Sequence, residues 1–318
     1  MTDTQISEDH LSDEDPLLFT VTDGMPLERL DKVLAQLMPQ HSRSRIQTWI
    51  ENGHVLVNGQ VAKVRQNLRE DDQITVFEQP APEDQAFKPE DVAFDVLAES
   101  PDWVVVNKPV GLVTHPGAGN WSGTLLNGLL FRYPELAQVA RAGIVHRLDK
   151  DTSGLLVVAR NEIAQTHLVR QLQARTMGRE YLALAHGRML SQGKVDKPIG
   201  RDPRVPVRMS VEKPSAPKAA ITHYKLERVG EYLESNISQV NCKLETGRTH
   251  QIRVHLASLG HPLLGDTQYG GRLLGEATRQ MLHAYQLRFE DPAGAGDVSF
   301  TAPMPQDMTR VVEAIQWK

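Results

Sequence analysis

The sequence predicts an α+β protein of two domains, the larger of which is built on a mainly antiparallel, mixed sheet. From about residue 92 onward, strand-like and helix-like stretches alternate at uneven spacing and include hairpin-like pairs, which is typical of α+β folds. Residues 81–91 lie in a segment rich in proline and acids that predicts a linker. A chain of 318 residues with 40% hydrophobic residues is long enough to bury two cores. The expected order is an acidic disordered tail, a small domain, the linker and a larger domain, at residues 1–18, 19–80, 81–91 and 92–318.

Composition excludes several classes of protein. Nowhere does the chain approach 18 consecutive apolar residues, so no membrane span is expected. The first ten residues lack a basic and then apolar segment, which argues against a secretory signal and favours the cytoplasm. With Cys242 as its one cysteine, the chain has neither an intramolecular disulfide framework nor a cysteine-based metal cluster.

Charge is distributed unevenly along the chain. The net charge is −5, and residues 1–20 hold six acids and no lysine or arginine. Residues 28–69 instead carry seven lysines and arginines against three acids, a local charge of +4. This basic segment predicts a surface for an anionic partner such as nucleic acid. A basic helix face that only contacts solvent is the alternative.

The small domain is predicted to contain two short helices followed by strands. Apolar residues from Leu27 recur with helical spacing, and Pro39 marks the end of that helix. Ser42 or Ser44 is expected to cap the second helix. Asn58-Gly59 predicts a tight hairpin turn, and residues 73–77 a further strand.

The run RLDKVL…SRSRIQTWIENGHVLVNG resembles the S4 (αL-type) RNA-binding domain. The resemblance implies that two helices pack on a small sheet and leave a set of basic side chains on the polar side. Contacts from such side chains to phosphates position RNA without determining its sequence. The candidate RNA-binding residues are Arg29, Lys32, Arg43, Arg45 and Lys63.

The larger domain is predicted from a longer series of elements. Its strand candidates are residues 93–98, 103–107, 154–160, 179–186, 219–228, 237–244 and 284–290. Its helix candidates are residues 124–132, 162–175, 249–259 and 306–317, with Gly260 as the C-terminal cap of the third.

The most unusual segment of the chain is a dense polar run between two apolar strands, at residues 143–158. Functional groups concentrate in loops that a rigid scaffold positions. Asp149 is flanked by Arg147 and Lys150, and an ionised carboxylate in a cleft can act as nucleophile or base. An ordinary charged turn is the alternative interpretation.

The motif HRLDKDTSG within this run strongly resembles the signature loop of the RluA family of pseudouridine synthases. The resemblance implies that Asp149 is the essential catalytic residue. It also implies the chemistry: the N1–C1′ bond of a uridine breaks, the uracil turns, and C5 bonds to C1′. The carboxylate serves either by attacking the nucleoside or by removing a sugar proton, and the sequence leaves both routes open.

Two further segments match motifs of the same family. In REYLALAHG, Tyr181 corresponds to the tyrosine that the family places against the target base, with a core tyrosine as the alternative. In GRTHQIRVH, Arg253 corresponds to the basic residue placed against the catalytic aspartate. On a helix starting near Thr249, His250 and Arg253 would fall three residues apart on a neighbouring face. Arg248, at the entrance of that helix, is expected to contact phosphate or to support the loop.

His146 and Arg147 are also placed among the substrate-binding or RNA-binding residues. We interpret His146, like His250 and His255, mainly as a hydrogen-bonding scaffold. Arg147 lies two residues before Asp149, so in an extended stretch both side chains project to the same side. Its guanidinium would then be available to stack on bases when the target nucleotide is extruded; simple neutralisation of Asp149 is the alternative.

No metal or cofactor is expected. The 12 histidines form no HExxH motif, and His250 and His255 do not share a helix face. The glycine-rich stretches PGAGN and YGG lack the strand and helix of a phosphate-binding loop.

The resemblance extends from about residue 20 to 317. PGAGN and RAGIVHRLDKDT are typical of members that modify uridines in the helix 69 stem-loop of 23S rRNA. The expected partner is therefore 23S rRNA, in the large ribosomal subunit or its precursor, without a membrane or a small-molecule cofactor. The alternatives are a sibling enzyme for another 23S rRNA or tRNA site, a non-catalytic S4-type RNA-binding or ribosome-assembly factor, and a carboxylate-based glycosidase. The last needs two opposed carboxyl groups.

Overall fold

The computed structural model describes residues 16–23, 28–79, 86–117, 119–205 and 207–318. The chain divides into two compact units, Met1–Ala81 and Pro82–Lys318. Most of the predicted acidic tail, residues 1–15, lies outside the described residues.

The first unit contains two helices and a small antiparallel sheet. In chain order its elements are β1 (Leu17–Thr20), α1 (Leu30–Leu37), α2 (Arg43–Glu51), β2 (Val55–Val57), β3 (Gln60–Val61) and β4 (Gln73–Val76). The strands of the described part are arranged in the order β1-β4-β2-β3. Leu17 and Leu18 pair with Val76 and Thr75, so the prediction that the tail extends to residue 18 was wrong. The cross-strand pairing with β4 orders these two residues.

The sequence signals of this unit are confirmed where the structure describes them. Ser42 caps α2, since its side chain accepts a hydrogen bond from the backbone N–H of Arg45. Asn58 and Gly59 both have positive φ, as the two-residue turn between β2 and β3 requires. The apolar faces of α1 and α2 pack on the sheet in a core of their own.

The second unit begins with residues of the predicted linker. Residues 86–91 lie against α3 (Leu125–Arg132), where the Asn127 amide donates to the carbonyl oxygens of Ala86 and Lys88. The remaining elements of the unit follow in chain order. They are β5 (Asp95–Glu99), β6 (Trp103–Lys108), β7 (Ser153–Ala159), α4 (Glu162–Ala174), β8 (Gly178–His186), β9 (Gln192–Asp196), β10 (Ile199–Arg201), β11 (Met209–Ser210), β12 (Ser215–Lys218), β13 (Ile221–Tyr232), β14 (Ser235–Leu244), α5 (Gln251–Ser258), β15 (Leu282–Glu290), β16 (Asp297–Thr301), α6 (Gln306–Ala314) and β17 (Gln316–Trp317).

One large sheet organises this unit. In the described part its strands follow the order β17-β13-β14-β8-β15-β7-β6-β5, with β16 paired to β15 and β9 to β13. The pairings are antiparallel apart from β7 with β15, which is parallel. The predicted α+β class with a mainly antiparallel, mixed sheet is therefore confirmed.

The central strands are buried on both faces. Along β6 and β7, Val106 and Leu156 belong to one core while Val105 and Leu155 belong to the opposite one. Helices α3 and α5 contribute to the first core, and α4 contributes to the second. Cover on both faces explains why these strands are continuous apolar runs rather than alternating ones.

The sequence analysis placed the end of the last helix wrongly and missed a small sheet of this unit. The last helix, expected at residues 306–317, ends at Ala314, because Ile315 is extended and Trp317 pairs with Gly230 on β13. The small sheet of β10, β11 and β12, which we call the arm (residues 199–218), was not predicted. Its strands are two to four residues long and β12 contains Pro217, so they lack a detectable period.

In the part of the chain that the structure describes, no helix has both the length and the apolar character needed to span a bilayer.

Candidate active site

The polar loop of residues 144–152 leads directly into β7. Gly154, at the start of β7, is in register with Ala284 of β15, and Ala284 is paired on its other side with Tyr181 of β8. This register places Tyr181 two strands away from the end of the loop, roughly 10 Å across the sheet. The mixed sheet thus brings Asp149 and Tyr181 to one cleft.

Gly154 is needed for this close strand approach. Its φ is +112°, and a Cβ built there would lie 2.2 Å from the carbonyl oxygen of Ala284. Any other residue would push β15 away from β7. The glycine of the HRLDKDTSG motif therefore fixes the distance between the loop and its neighbouring strand.

The backbone of the loop is held by buried side chains. Three of its carbonyl oxygens accept such bonds: Leu148 from Thr114 Oγ1 (2.8 Å), Lys150 from Lys108 Nζ (3.0 Å) and Asp151 from Arg279 Nη1 (2.9 Å). Lys108 is completely buried and donates to two further carbonyls. Burial lowers the pKa of Lys108 to about 7. With its carbonyls fixed in this way, the loop presents the Asp149 side chain from a rigid frame.

Asp149 is paired with Arg253 at the floor of the cleft. Arg253 Nη1 donates to Asp149 Oδ2 at 3.1 Å. The same guanidinium donates through Nε and Nη2 to both carboxylate oxygens of Asp266, at 2.7 and 2.9 Å, and also through Nη2 to Gln268. Burial opposes the charge of Arg253, but Asp266 and Asp149 outweigh it and raise the pKa of Arg253 above its ordinary value. Arg253 is thus a fixed cation shared by two carboxylates.

A turn of unexpected shape carries Arg253 into the site. The helix predicted from Thr249 begins at Gln251, and His250 has φ +54°, so the prediction that His250 and Arg253 share a helix was wrong. The Gln251 amide explains the change. It accepts from Thr246 Oγ1 and the Arg248 N–H, and it donates to Ile221 and Thr222. This buried side chain therefore takes over the hydrogen bonding that a longer helix would have provided.

Tyr181 lines the cleft from β8, and its side chain is largely buried. Burial raises the pKa of the Tyr181 hydroxyl, so the group stays protonated at neutral pH. Burial alternates along most of β8, where Tyr181 and Ala183 are buried and Leu182 between them is partly exposed.

His146 also lines the cleft, but one of its ring nitrogens is already in use. The N–H of Val157 on β7 donates to His146 Nε2 at 3.1 Å. Burial lowers the pKa of His146 to about 3, so the ring is neutral. These contacts favour the scaffold role for His146 over direct RNA binding.

The walls of the cleft are strongly basic. The cleft has a volume of about 1050 Å³, and among the described residues seven arginines line it against two acids, Asp149 and Glu245. Arg147 and Arg248 are exposed at this surface, and Arg248 Nε donates to the carbonyl of Ala219. A narrow cleft lined by one sign of charge concentrates the opposite sign, so this surface suits a polyanion. No group of three or more metal-ligating His, Cys, Asp or Glu side chains occurs in the described ranges.

Two of the five candidate RNA-binding residues of the first unit, Arg29 and Arg43, contact the same buried acid. Asp31 on α1 is fully buried and accepts hydrogen bonds from Arg29, Arg43 and Gln47. Burial opposes its ionisation, but Arg43, Gln47 and Arg29 outweigh burial and lower the pKa of Asp31 to about 2. The two arginines are thus held side by side, each partly exposed. The other candidates lie nearby on the surface or outside this cluster: Lys32 pairs with Glu28, Arg45 lies over Trp49, and Lys63 is exposed.

Three residues of the second unit escaped the sequence analysis. Asp266, Gln268 and Tyr269 lie on or beside a short 3₁₀ helix (Thr267–Tyr269) that packs against Arg253 and His250. A signal was present in the sequence, because three polar residues stand within the glycine-rich run LLGDTQYGG. The sequence analysis considered only the YGG stretch of this run, which lacks the strand and helix of a phosphate-binding loop.

Comparison with known proteins gives consistent results. Residues 102–258 match the family described as RNA pseudouridylate synthase, and residues 28–74 match the S4 domain. The chain is 49% identical over 308 residues to "Ribosomal large subunit pseudouridine synthase D" of Neisseria meningitidis serogroup B, covering 92% of this chain and 81% of that protein. It is 44% identical over 314 residues to the protein of the same name from Escherichia coli O6:H1, covering 94% of each. A solved structure, "Human RNA Pseudouridylate Synthase Domain Containing 1", matches with a TM-score of 0.57 and 29% identity, covering 76% of this chain and 91% of that one.

Proposed function

Since the chain belongs to the RNA pseudouridylate synthase family, we propose that it converts uridines of 23S rRNA to pseudouridine, with Asp149 as the catalytic residue. The proposed target is the helix 69 stem-loop, in the large ribosomal subunit or its precursor, and the proposed compartment is the cytoplasm. The names of the relatives support a large-subunit substrate, and the S4 match supports an RNA partner.

One observation carries the proposal: Arg253 holds the carboxylate of Asp149 in a cleft that six further arginines line. Arg253 contacts Asp149 through one carboxylate oxygen, Oδ2. The other oxygen, Oδ1, is left to face a nucleotide. The arginines around it would bind the phosphates on either side of the target.

The reaction is an isomerisation, so its atoms balance without a co-reactant. The N1–C1′ bond breaks and its electron pair leaves with the uracil. C5 then bonds to C1′, C5 loses a proton and N1 gains one. Asp149 would act either as nucleophile toward the sugar or as the base that removes a sugar proton. In both routes the Asp149 carboxylate is the reacting group, and Arg253 is the cation that pairs with it.

Tyr181 is proposed to hold the base while it turns. Its ring lies in the same cleft as Asp149, and an aromatic ring stacks on any base without regard to sequence. Its hydroxyl is available to relay a proton, because burial keeps it in the neutral O–H form.

Arg147 is proposed to occupy the space that an extruded nucleotide leaves. A uridine within a stacked stem-loop hides C1′ and N1, so the enzyme must extrude it, at a cost of a few kcal/mol. Arg147 is exposed at the cleft, and its planar guanidinium can stack on neighbouring bases as well as contact phosphate.

The function is tested by incubating the protein with unmodified 23S rRNA and with precursor large subunits, followed by carbodiimide labelling and primer extension. New stops within helix 69 are the expected result. Stops elsewhere in 23S rRNA, or on tRNA alone, would assign the chain to a sibling enzyme. Tight RNA binding with no pseudouridine on any of these substrates would support a non-catalytic binding factor instead.

A further inference from the structure

His250 lies beside Asp149 and has no part in the reaction described so far. It immediately precedes α5, and its side chain lines the cleft with about a fifth of its surface exposed, 19%. Its Nε2 atom is 3.9 Å from Asp149 Oδ1, the carboxylate oxygen that Arg253 does not hold. Nε2 is therefore near the position where the sugar and base of the target meet.

The contacts of Tyr269 determine which nitrogen of His250 carries the proton. The N–H of Met209, on the arm, donates to the Tyr269 hydroxyl oxygen at 2.9 Å. His250 Nδ1 lies 2.6 Å from the same oxygen. Among the described residues the buried hydroxyl has no other acceptor, so its own hydrogen points to Nδ1. The proton of the imidazole is then on Nε2, which faces the cleft.

The imidazole is also kept neutral by its surroundings. Burial lowers the pKa of His250, and this effect outweighs the attraction of Asp149; Arg253 and Arg147 further disfavour the charged form, while Asp266 opposes them. Tyr269 faces the ring edge-on. A neutral ring with Nδ1 occupied is a hydrogen-bond donor of fixed direction.

The backbone at His250 is strained in a way that supports a functional position. Its φ of +54° and ψ of +24° are in the left-handed region, which is unfavourable for a residue with a side chain. Residues held in this region against their preference cluster at active sites. Here the strain turns the side chain out of the helix register and toward Asp149.

We propose that His250 is a further catalytic residue, whose Nε2–H donates a hydrogen bond to uracil O2 as the N1–C1′ bond breaks. The inference rests on the proposed function. The electron pair that leaves with N1 is shared with O2, and O2 is the base oxygen nearest to the sugar on which Asp149 acts. His250 keeps its proton throughout, so the proton balance of the isomerisation is unchanged. Tyr269 is a positioning residue, because it acts on the substrate through His250.

The test uses the full chain and two stem-loop RNAs that differ only at the target, uridine or 5-fluorouridine. Fluorine at C5 withdraws electrons, which makes uracil a better leaving group that depends less on a donor. Single-turnover rates of N1–C1′ cleavage are measured by nucleoside chromatography. For His250→Phe we expect about a 100-fold loss on uridine, typical of removing one such donor, and a much smaller loss on 5-fluorouridine.

His250→Gln, which keeps a side-chain N–H donor, should retain a rate within tenfold of wild type on both RNAs. Tyr269→Phe leaves the imidazole in place but frees its tautomer, so it should lose about tenfold on uridine and less on 5-fluorouridine. It also provides the test if His250→Phe does not fold. Equal losses on the two RNAs, for whichever of these two variants folds, would overturn the donor role. Absence of pseudouridine with the wild-type protein would instead refute the proposed function.

Discussion

Each unit of the molecule contains a cluster of charged side chains, and the central group is an acid in the first unit and an arginine in the second. In the first unit, one buried acid, Asp31, is shared by two arginines. In the second unit, one buried arginine, Arg253, is shared by two acids. In each cluster the shared group is buried. Arg29 and Arg43 reach the surface and Asp149 reaches the cleft, whereas Asp266 is itself buried. Under the proposed function, the arginines of the first cluster are available to an RNA backbone, and Asp149 of the second is available to the reacting nucleotide.

The difference indicates that an ion pair can orient a functional group as well as stabilise the fold. Buried ion pairs lose much of their attraction to the cost of desolvation, so they are weak evidence for stability alone. Asp31 holds Arg29 and Arg43 in place, and Asp266 holds Arg253, which in turn holds Asp149. We expect changes to the two clusters to separate binding from chemistry.

The largest effect is expected for Asp149→Asn, which keeps the size of the side chain but removes its charge. Pseudouridine formation should fall below detection, while the melting temperature and RNA affinity stay close to wild type. Asp31→Asn is the matched control, since it removes a charge from the other cluster, and it should keep its turnover on a short stem-loop. More than a few per cent of wild-type turnover in Asp149→Asn would remove Asp149 from the catalytic role.

Arg147→Lys tests whether the cleft uses the shape of an arginine as well as its charge. The variant keeps the positive charge but loses the planar group that can stack. We expect at least a tenfold loss of kcat/KM on a structured stem-loop, and little loss on an unstructured oligonucleotide with the same uridine. An equal loss on both substrates would leave Arg147 as a counter-ion of Asp149.

Replacing Arg43 and Arg45 by Gln tests the role of positive charge in the first unit. Here we expect the charge of the arginines, and not their planar shape, to determine RNA binding. RNA affinity should fall, and the slope of log Kd against log salt should drop by about one for each phosphate that the variant no longer binds. The single-turnover rate at saturating enzyme should not change. Lys225 and Lys243 on the second unit, changed to Gln, provide a charge-matched control. An unaltered salt slope in the Arg43/Arg45 variant would contradict the proposed binding of phosphates by these arginines.

The smallest effect concerns acid stability. The pKa of Asp31 is about 2 in the fold against 3.8 ordinarily, so its ionised form stabilises the unit at pH values above 3.8. This stabilisation, about 2 kcal/mol, is lost as the pH falls from 3.8 toward 2. Hydrogen-exchange protection of β4 peptides should therefore decline more steeply with acid in wild type than in Asp31→Asn. Parallel declines in the two proteins would show that Asp31 does not carry this dependence.

The sequence was most informative where the structure depends on neighbouring residues. The helices of the first unit, the Asn58-Gly59 turn and most central strands follow from local patterns and are found close to their predicted places. Asp149 and Arg253 were singled out by motifs, but their hydrogen bond joins residues 104 positions apart.

What the sequence did not yield depends on tertiary packing. Asp266 contacts Arg253 on α5, and Tyr269 contacts His250, the residue before α5. Periodic patterns in the sequence do not predict such contacts. The backbone of His250 departs from the helix because the Gln251 amide makes four hydrogen bonds, three of them buried and two of them with β13. Local propensity favoured a helix at this point, and the tertiary hydrogen bonds determined the outcome.

The parallel pairing of β7 with β15 also determines when the active-site loop can fold during synthesis of the chain. Ser153 and its hydrogen-bonded partner His283 are 130 residues apart. The carbonyl oxygen of Asp151, in the loop, can accept its hydrogen bond only after Arg279 has been synthesised. At a synthesis rate of about 5–20 residues per second, the strand that positions the aspartate emerges roughly 10 s after it. The first unit, whose described strands end at Val76, is complete long before then. Under the proposed roles of the two units, a nascent chain would therefore bind RNA well before it could modify it.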